Sequence, residues 1–156
     1  HAYGFIKLGR LVECADMTTR IMDVGAGDIM ERAGRFGEID PLLWGALLQA
    51  LSAAAAYRRE VGPIVEKDAA LNFIFLSSTF PRSIKYFVRE TRKELMRLNN
   101  HDLAIRAVER LRRRLTRLDA EHFTSGELHD YIDDFQLQLT SLDAAIQATW
   151  FSRENA

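Results

Sequence analysis

The chain holds a single cysteine, Cys14, among 156 residues. An intramolecular disulfide and a cysteine-based zinc cluster are therefore both excluded, as fits a reducing compartment. Hydrophobic runs are short. The longest, residues 42–56, spans about 15 positions and contains Gln49 and Ser52, too short and too polar to cross a bilayer. No membrane association is expected, and the cytoplasm is the expected location. Net charge is nearly absent, at −1, so no global field favours nucleic acid or an anionic membrane. No Ser-His-Asp or Cys-His arrangement stands out. Nor does any Glu-x-x-His pair of the kind that builds di-metal sites in bundles. His129 and Asp133, one turn apart near Asp130 and Asp134, are the nearest approach to a ligand set. No metal, cofactor or independent catalytic activity is expected.

What is present is ordinary for a folded protein: 47% hydrophobic and 28% charged residues. The length suits one domain, 1–156, with a single core. Charge is unevenly spread. Residues 82–117 carry 12 Lys/Arg against 4 Asp/Glu, whereas residues 118–156 carry 1 Arg against 8 acids. Such asymmetry either steers a partner or pairs one helix with another.

The apolar pattern is helical throughout. From Phe5 to Val24, residues Leu8, Leu11, Val12, Ala15, Thr19 and Met22 fall within about 100° of one another, the width of a core-facing stripe. Gly25 and Gly27 are expected to end this helix. Residues 28–39 read as a loop or frayed turn. Asp40-Pro41 combines an N-cap acceptor with proline at the first helical position, opening a helix to about Val61 that Gly62-Pro63 stops. The short apolar stretch 66–78 reads as a buried helix. Ser77, Ser78 and Thr79 are expected to cap the next helix, which Pro81 opens. That helix turns Ile84, Phe87, Val88, Leu95 and Leu98 inward and ends at Asn99-Asn100. The following helix, 101–119, buries Ala104, Val108, Leu111, Leu115 and Leu118. Thr124 and Glu127 match a capping box, and the last helix turns Leu128, Ile132, Phe135, Leu139, Leu142 and Ile146 inward to about Phe151. The expected fold is all-α, an antiparallel helical bundle of about five long helices and one short one.

Three features are candidates for function. The first is a polar seam on the opening helix, Gly9, Glu13, Asp16 and Arg20, with Arg10 at its edge. Glycine inside a helix is tolerated best where another backbone comes close, so a second helix is expected to cross there. Asp16–Arg20 and Arg10–Glu13 have the spacing of local ion pairs. A solvated face, a polar network at an interface, and a ligand site all remain open readings. The second is Arg82-Ser83, where a helix N-terminus beside a guanidinium suits a phosphate or carboxylate, though most helix starts bind only water or a neighbour. The third is the arginine row Arg106, Arg110, Arg113 and Arg117. It could follow a nucleic-acid backbone, but with no aromatic interleaving a solvated face or an acidic protein partner fits better. Cys14 reads as a packing residue.

The segments FIKLGRLVECADMTTRIMDV, LWGALLQALSAAAAYRR and FIFLSSTFPRSIKYFV, with the closing ATWF, resemble in order the blocks of the bacterial alpha-E family. The family's Glu-Arg pair departs here to Glu13-Cys14, and Arg10 or Arg20 could take over the pairing. The resemblance implies that the chain is the second half of a longer protein. Its beginning at His1, already in a helical pattern, fits a fragment or processed product. The missing half, or a second copy, would then be a natural partner for exposed surface. Alpha-E proteins occur beside or fused to circularly permuted ATP-grasp proteins, so the resemblance implies a role in ATP-dependent peptide ligation or modification. A partner or scaffold domain is the leading expectation, with Arg10, Glu13, Asp16 and Arg20 organising the interface and Arg82 a further contact. An enzyme or peptide-binding domain built around Glu13 and Arg20 is the alternative, and a nucleic-acid-binding bundle the third.

Overall fold

The computed structural model describes residues 2–32 and 40–152. Among them the regular structure is helical, with no strand, and no helix is long and apolar enough to cross a membrane. The elements are α1 (Ala2–Ile21), a π-helical turn (Met22–Ala26), α2 (Gly27–Glu31), α3 (Asp40–Ala50), α4 (Ala54–Glu60), α5 (Lys67–Leu76), α6 (Ile84–Leu95), α7 (Asp102–Thr116), a 3₁₀ turn (Ala120–His122) and α8 (Ser125–Trp150).

Four helices close a ring, α1 on α6, α6 on α7, α7 on α8 and α8 on α1. Residue pairs give their sense. Arg114 meets Asp134 and Arg110 meets Gln138, so α7 and α8 run antiparallel. Phe5 meets Trp150 and Thr19 meets Gln136, which sets α1 against α8. Lys7 meets Glu94, and Thr18 meets the Arg82 carbonyl, which sets α1 against α6. The ring is the expected antiparallel bundle, with α3 and α5 packed at its flank. The inward stripes of α7 and α8 lie where their periodicity places them, except that Leu118 falls beyond the end of α7 and is only half-buried. Leu128, Ile132, Phe135, Leu139, Leu142 and Ile146 are all buried, and both arms of the Thr124–Glu127 capping box form.

Three local expectations fail for identifiable reasons. Gly25 and Gly27 do not end the first helix, which passes through the π turn into α2. Met22 and Ala26 are fully buried there, and a Cβ on Gly25 would stand 2.7 Å from Leu47 Cδ1. The glycine thus admits α3, and core packing carries the helix on. Of residues 28–39, expected as a loop or frayed turn, residues 28–31 are helical, residue 32 is a turn and residues 33–39 lie outside the described residues.

The expected helix 40–61 is broken. Ser52 takes a left-handed φ of 54°. Its amide donates to Gln49 O, and the Ala53 amide to Leu48 O, the paired closure of a Schellman motif with serine in the glycine position. Finally, α6 starts at Ile84 rather than Pro81. Ser77 is spent elsewhere: its hydroxyl donates to Glu60 Oε2 at 2.7 Å and accepts from the Phe80 amide. Ser83 is the cap, accepting from the Tyr86 amide at 3.0 Å.

Candidate functional site

The helical period turns one side of α1 outward as clearly as it turns the other in. Tyr3, Ile6, Arg10, Glu13, Met17 and Arg20 are spaced alternately three and four apart, within about 100° of each other and opposite the buried stripe. All six are exposed. Tyr3 is 78%, Ile6 57% and Met17 55% accessible, and Val24, one step further in the π turn, 76%. These large apolar residues thus stand on the side of α1 opposite its buried residues Leu8, Ala15, Thr18 and Thr19.

The charged residues between them are only partly paired. Arg20 Nε donates to Asp16 Oδ2 at 2.8 Å, which raises the Arg20 pKa through that hydrogen bond first and the carboxylate charge second. Among the described residues Arg10 and Glu13 have no ion-pair partner, although they stand one turn apart. The helix expected to cross at Gly9 is not found there. Among the described residues, and apart from its own helix and chain neighbours, no heavy atom lies within 4 Å of the position its Cβ would take. The seam is an open face in which a half-buried Asp16 holds one arginine.

Arg82 lies against α1, and Ser83 is the N-cap of α6. The Arg82 carbonyl accepts from Thr18 Oγ1 at 3.1 Å, and its Nη1 donates to Leu51 O at 3.3 Å, so the guanidinium caps the carbonyl end exposed by the break after α3. The adjacent Cys14 thiol is half-buried. Burial raises its pKa, and the Arg82 charge draws it back. Arg82 therefore supplies a cation beside the position that follows Glu13. The Ser83 hydroxyl is fully buried and committed, donating to Ser77 O at 2.5 Å and accepting from Tyr86 N.

Sequence reasoning missed the strongest charged contact of α1. Lys7 Nζ donates to Glu94 Oε1 at 2.6 Å and lies 3.7 Å from Glu90 Oε2 on α6. Glu94 is only 4% accessible at its side chain and also accepts from Arg97 Nη1 at 3.0 Å. The Lys7 hydrogen bond is the main cause that lowers the Glu94 pKa, against an opposing desolvation. It likewise raises that of Lys7.

On the other side, the π turn meets α8 at His129, whose Nδ1 is 2.7 Å from Asp23 Oδ1 and whose Nε2 is 3.5 Å from Asp133 Oδ2. These three are the ligand types for a divalent cation. With a carboxylate at each ring nitrogen they also suit an imidazolium, and the Asp23 hydrogen bond first, then the nearby carboxylate charges, raise the His129 pKa. Among the described residues, no nucleophile, base and oxyanion donor converge on α1.

Comparison with known proteins gives a single finding. A family model described as "Alpha-E: a predicted alpha-helical domain with a conserved ER motif" matches residues 1–151. Neither a curated protein nor a solved structure matches the chain.

Proposed function

The chain belongs to the Alpha-E family, and on that premise we propose that it is a non-catalytic helical partner or scaffold domain. It docks through the outer face of α1 on an ATP-grasp protein that carries out peptide ligation or modification in the cytoplasm. One observation carries the reading: the exposed three-four stripe Tyr3, Ile6, Arg10, Glu13, Met17 and Arg20. Its spacing is that of a helix seam. Apolar knobs at Tyr3, Ile6 and Met17, with Arg10 and Glu13 between them, fit pairing with another helix in one register. Tyrosine, methionine and arginine are the residue types enriched at protein interfaces. Arg10 and Glu13 are left available for cross-helix ion pairs, and Arg82 extends the charged flank beside Cys14. The identity of the partner rests on the family resemblance.

The test is a titration of the purified chain against the ATP-grasp protein encoded with it. Among the described residues Glu13→Ala removes no hydrogen bond or ion pair, so circular dichroism is expected to be unchanged while affinity falls about tenfold, the low end for a close charge pair across an interface. Unchanged affinity for Glu13→Ala would remove this residue, and with it the seam, from the interface.

A further inference from the structure

A groove of about 840 Å3 runs between α6 and α7. Its floor is aliphatic, formed by Leu76, Val88, Leu115 and Leu118, and its rim is cationic, formed by Lys85, Arg89, Arg92, Lys93 and Arg112. The volume is that of a ligand site, and no acidic or aromatic side chain lines it. We propose that this groove binds a short acidic peptide segment carrying aliphatic side chains.

The rim is built to hold carboxylates. Glu109 Oε1 accepts from Arg92 Nε at 2.7 Å, and its Oε2 accepts from Arg112 Nε at 2.6 Å. One carboxylate thus fixes two guanidiniums from different helices, and those two hydrogen bonds, Arg112 first, hold the Glu109 pKa below its ordinary value. Arg89 is fixed in the same way, its Nε donating to Glu90 and its Nη1 to Ser78 O. In all three the Nε edge is occupied, and among the described residues both Nη groups of Arg92 and Arg112 are left for a ligand. The side chains of Arg89, Arg92, Lys93 and Arg112 are 47–57% exposed. Lys85 is exposed and without a partner among the described residues. Guanidiniums oriented in advance match carboxylate geometry and lose little freedom on binding.

The floor decides among anions. Aliphatic surface between the cations rewards a ligand with leucine-like side chains between its carboxylates. It offers nothing on which a nucleic-acid base can stack. Lys85 to Lys93 spans about 12 Å along α6 at 1.5 Å per residue, the length of about four extended peptide residues. This groove lies on α6 and α7, apart from the α1 stripe, so the proposal stands or falls independently of partner docking there.

The experiment is fluorescence anisotropy of the full chain with labelled peptides. The probe alternates glutamate and leucine. The comparisons are a glutamate–serine peptide, a lysine–leucine peptide, an oligothymidylate and vesicles of phosphatidylglycerol. The expected result is saturable binding of the glutamate–leucine peptide. It weakens about tenfold, one lost charge-assisted contact or more, in the double variant Lys85→Glu, Lys93→Glu. It is unchanged in Arg106→Glu, Arg117→Glu, which alters net charge equally outside the groove. The proposal is overturned by absence of binding or by equal loss in both double variants. Equal affinity for the glutamate–serine peptide would also overturn it, as would tighter binding of oligothymidylate or vesicles.

Discussion

Replacing Phe75 with alanine is expected to lower the unfolding free energy by about 3–5 kcal/mol, the range for truncating a fully buried phenylalanine. Phe75 is 0% accessible on α5. Its ring meets Phe123 at 6.0 Å and the Tyr131 ring of α8 edge-on at 5.5 Å and 89°. The truncation leaves a cavity where α5, the segment after the 3₁₀ turn and α8 join.

The same substitution has a second readout. Burial pushes the Tyr131 phenol up to about 12, with Arg114 opposing and Asp134 adding. A phenol whose folded pKa is raised favours the protonated form. Its contribution to stability is complete below the unfolded value of about 10 and is lost as pH climbs towards the folded value. Opening the site in Phe75→Ala is expected to bring the Tyr131 pKa back towards about 10 and to flatten that alkaline loss of stability. Denaturant unfolding with an ultraviolet titration of tyrosine checks both. A loss under about 1 kcal/mol with the phenol still titrating late would contradict the packing described here.

Replacing Glu94 with glutamine is expected to cost about 1–3 kcal/mol at neutral pH, because the hydrogen bonds lost are to charged donors at a nearly inaccessible carboxylate. Lys7 at 2.6 Å and Arg97 at 3.0 Å both donate to it. The pH dependence identifies the source. The Glu94 pKa is lowered by folding. The stabilisation is therefore present above the unfolded carboxylate value of about 4.3 and disappears as pH falls through the lower folded value. The gap between the wild type and Glu94→Gln should thus close on acidification. Urea unfolding at neutral pH and again well below the unfolded carboxylate value reads it directly. A gap of equal size at both would mean that shape rather than charge sets the effect.

How much of this was legible in the sequence depends on how local the cause was. The Thr124–Glu127 box and the inward residues of α7 and α8 follow from spacing within one helix. So does the Asp16–Arg20 pair, because i and i+4 always face each other. The π turn at Gly25 was not legible, because its reason is Leu47 on another helix. The break at Ser52 was hidden because a serine takes the position a glycine would advertise. The Lys7–Glu94 contact joins residues 87 apart, beyond any periodicity. The basic row Arg106, Arg110, Arg113 and Arg117 is exposed as its spacing implies, yet the groove uses Arg112 from the same helix. Which arginine faces α6 is decided by packing. On α1 the three-four spacing of Tyr3, Ile6 and Met17 is present in the sequence, interleaved with the charges of Arg10, Glu13 and Arg20.

The stripe on α1 is the centre of the functional account, and Met17 lies within it. A photo-crosslinking amino acid placed at Met17 in the living cell, compared with one at the exposed Leu137 of α8, tests it most directly. The expected result is a covalent adduct between position 17 and an ATP-grasp protein, weakened in Glu13→Ala and absent from position 137. An adduct at position 17 only with a second copy of this chain, or an ATP-grasp adduct only from position 137, would contradict it.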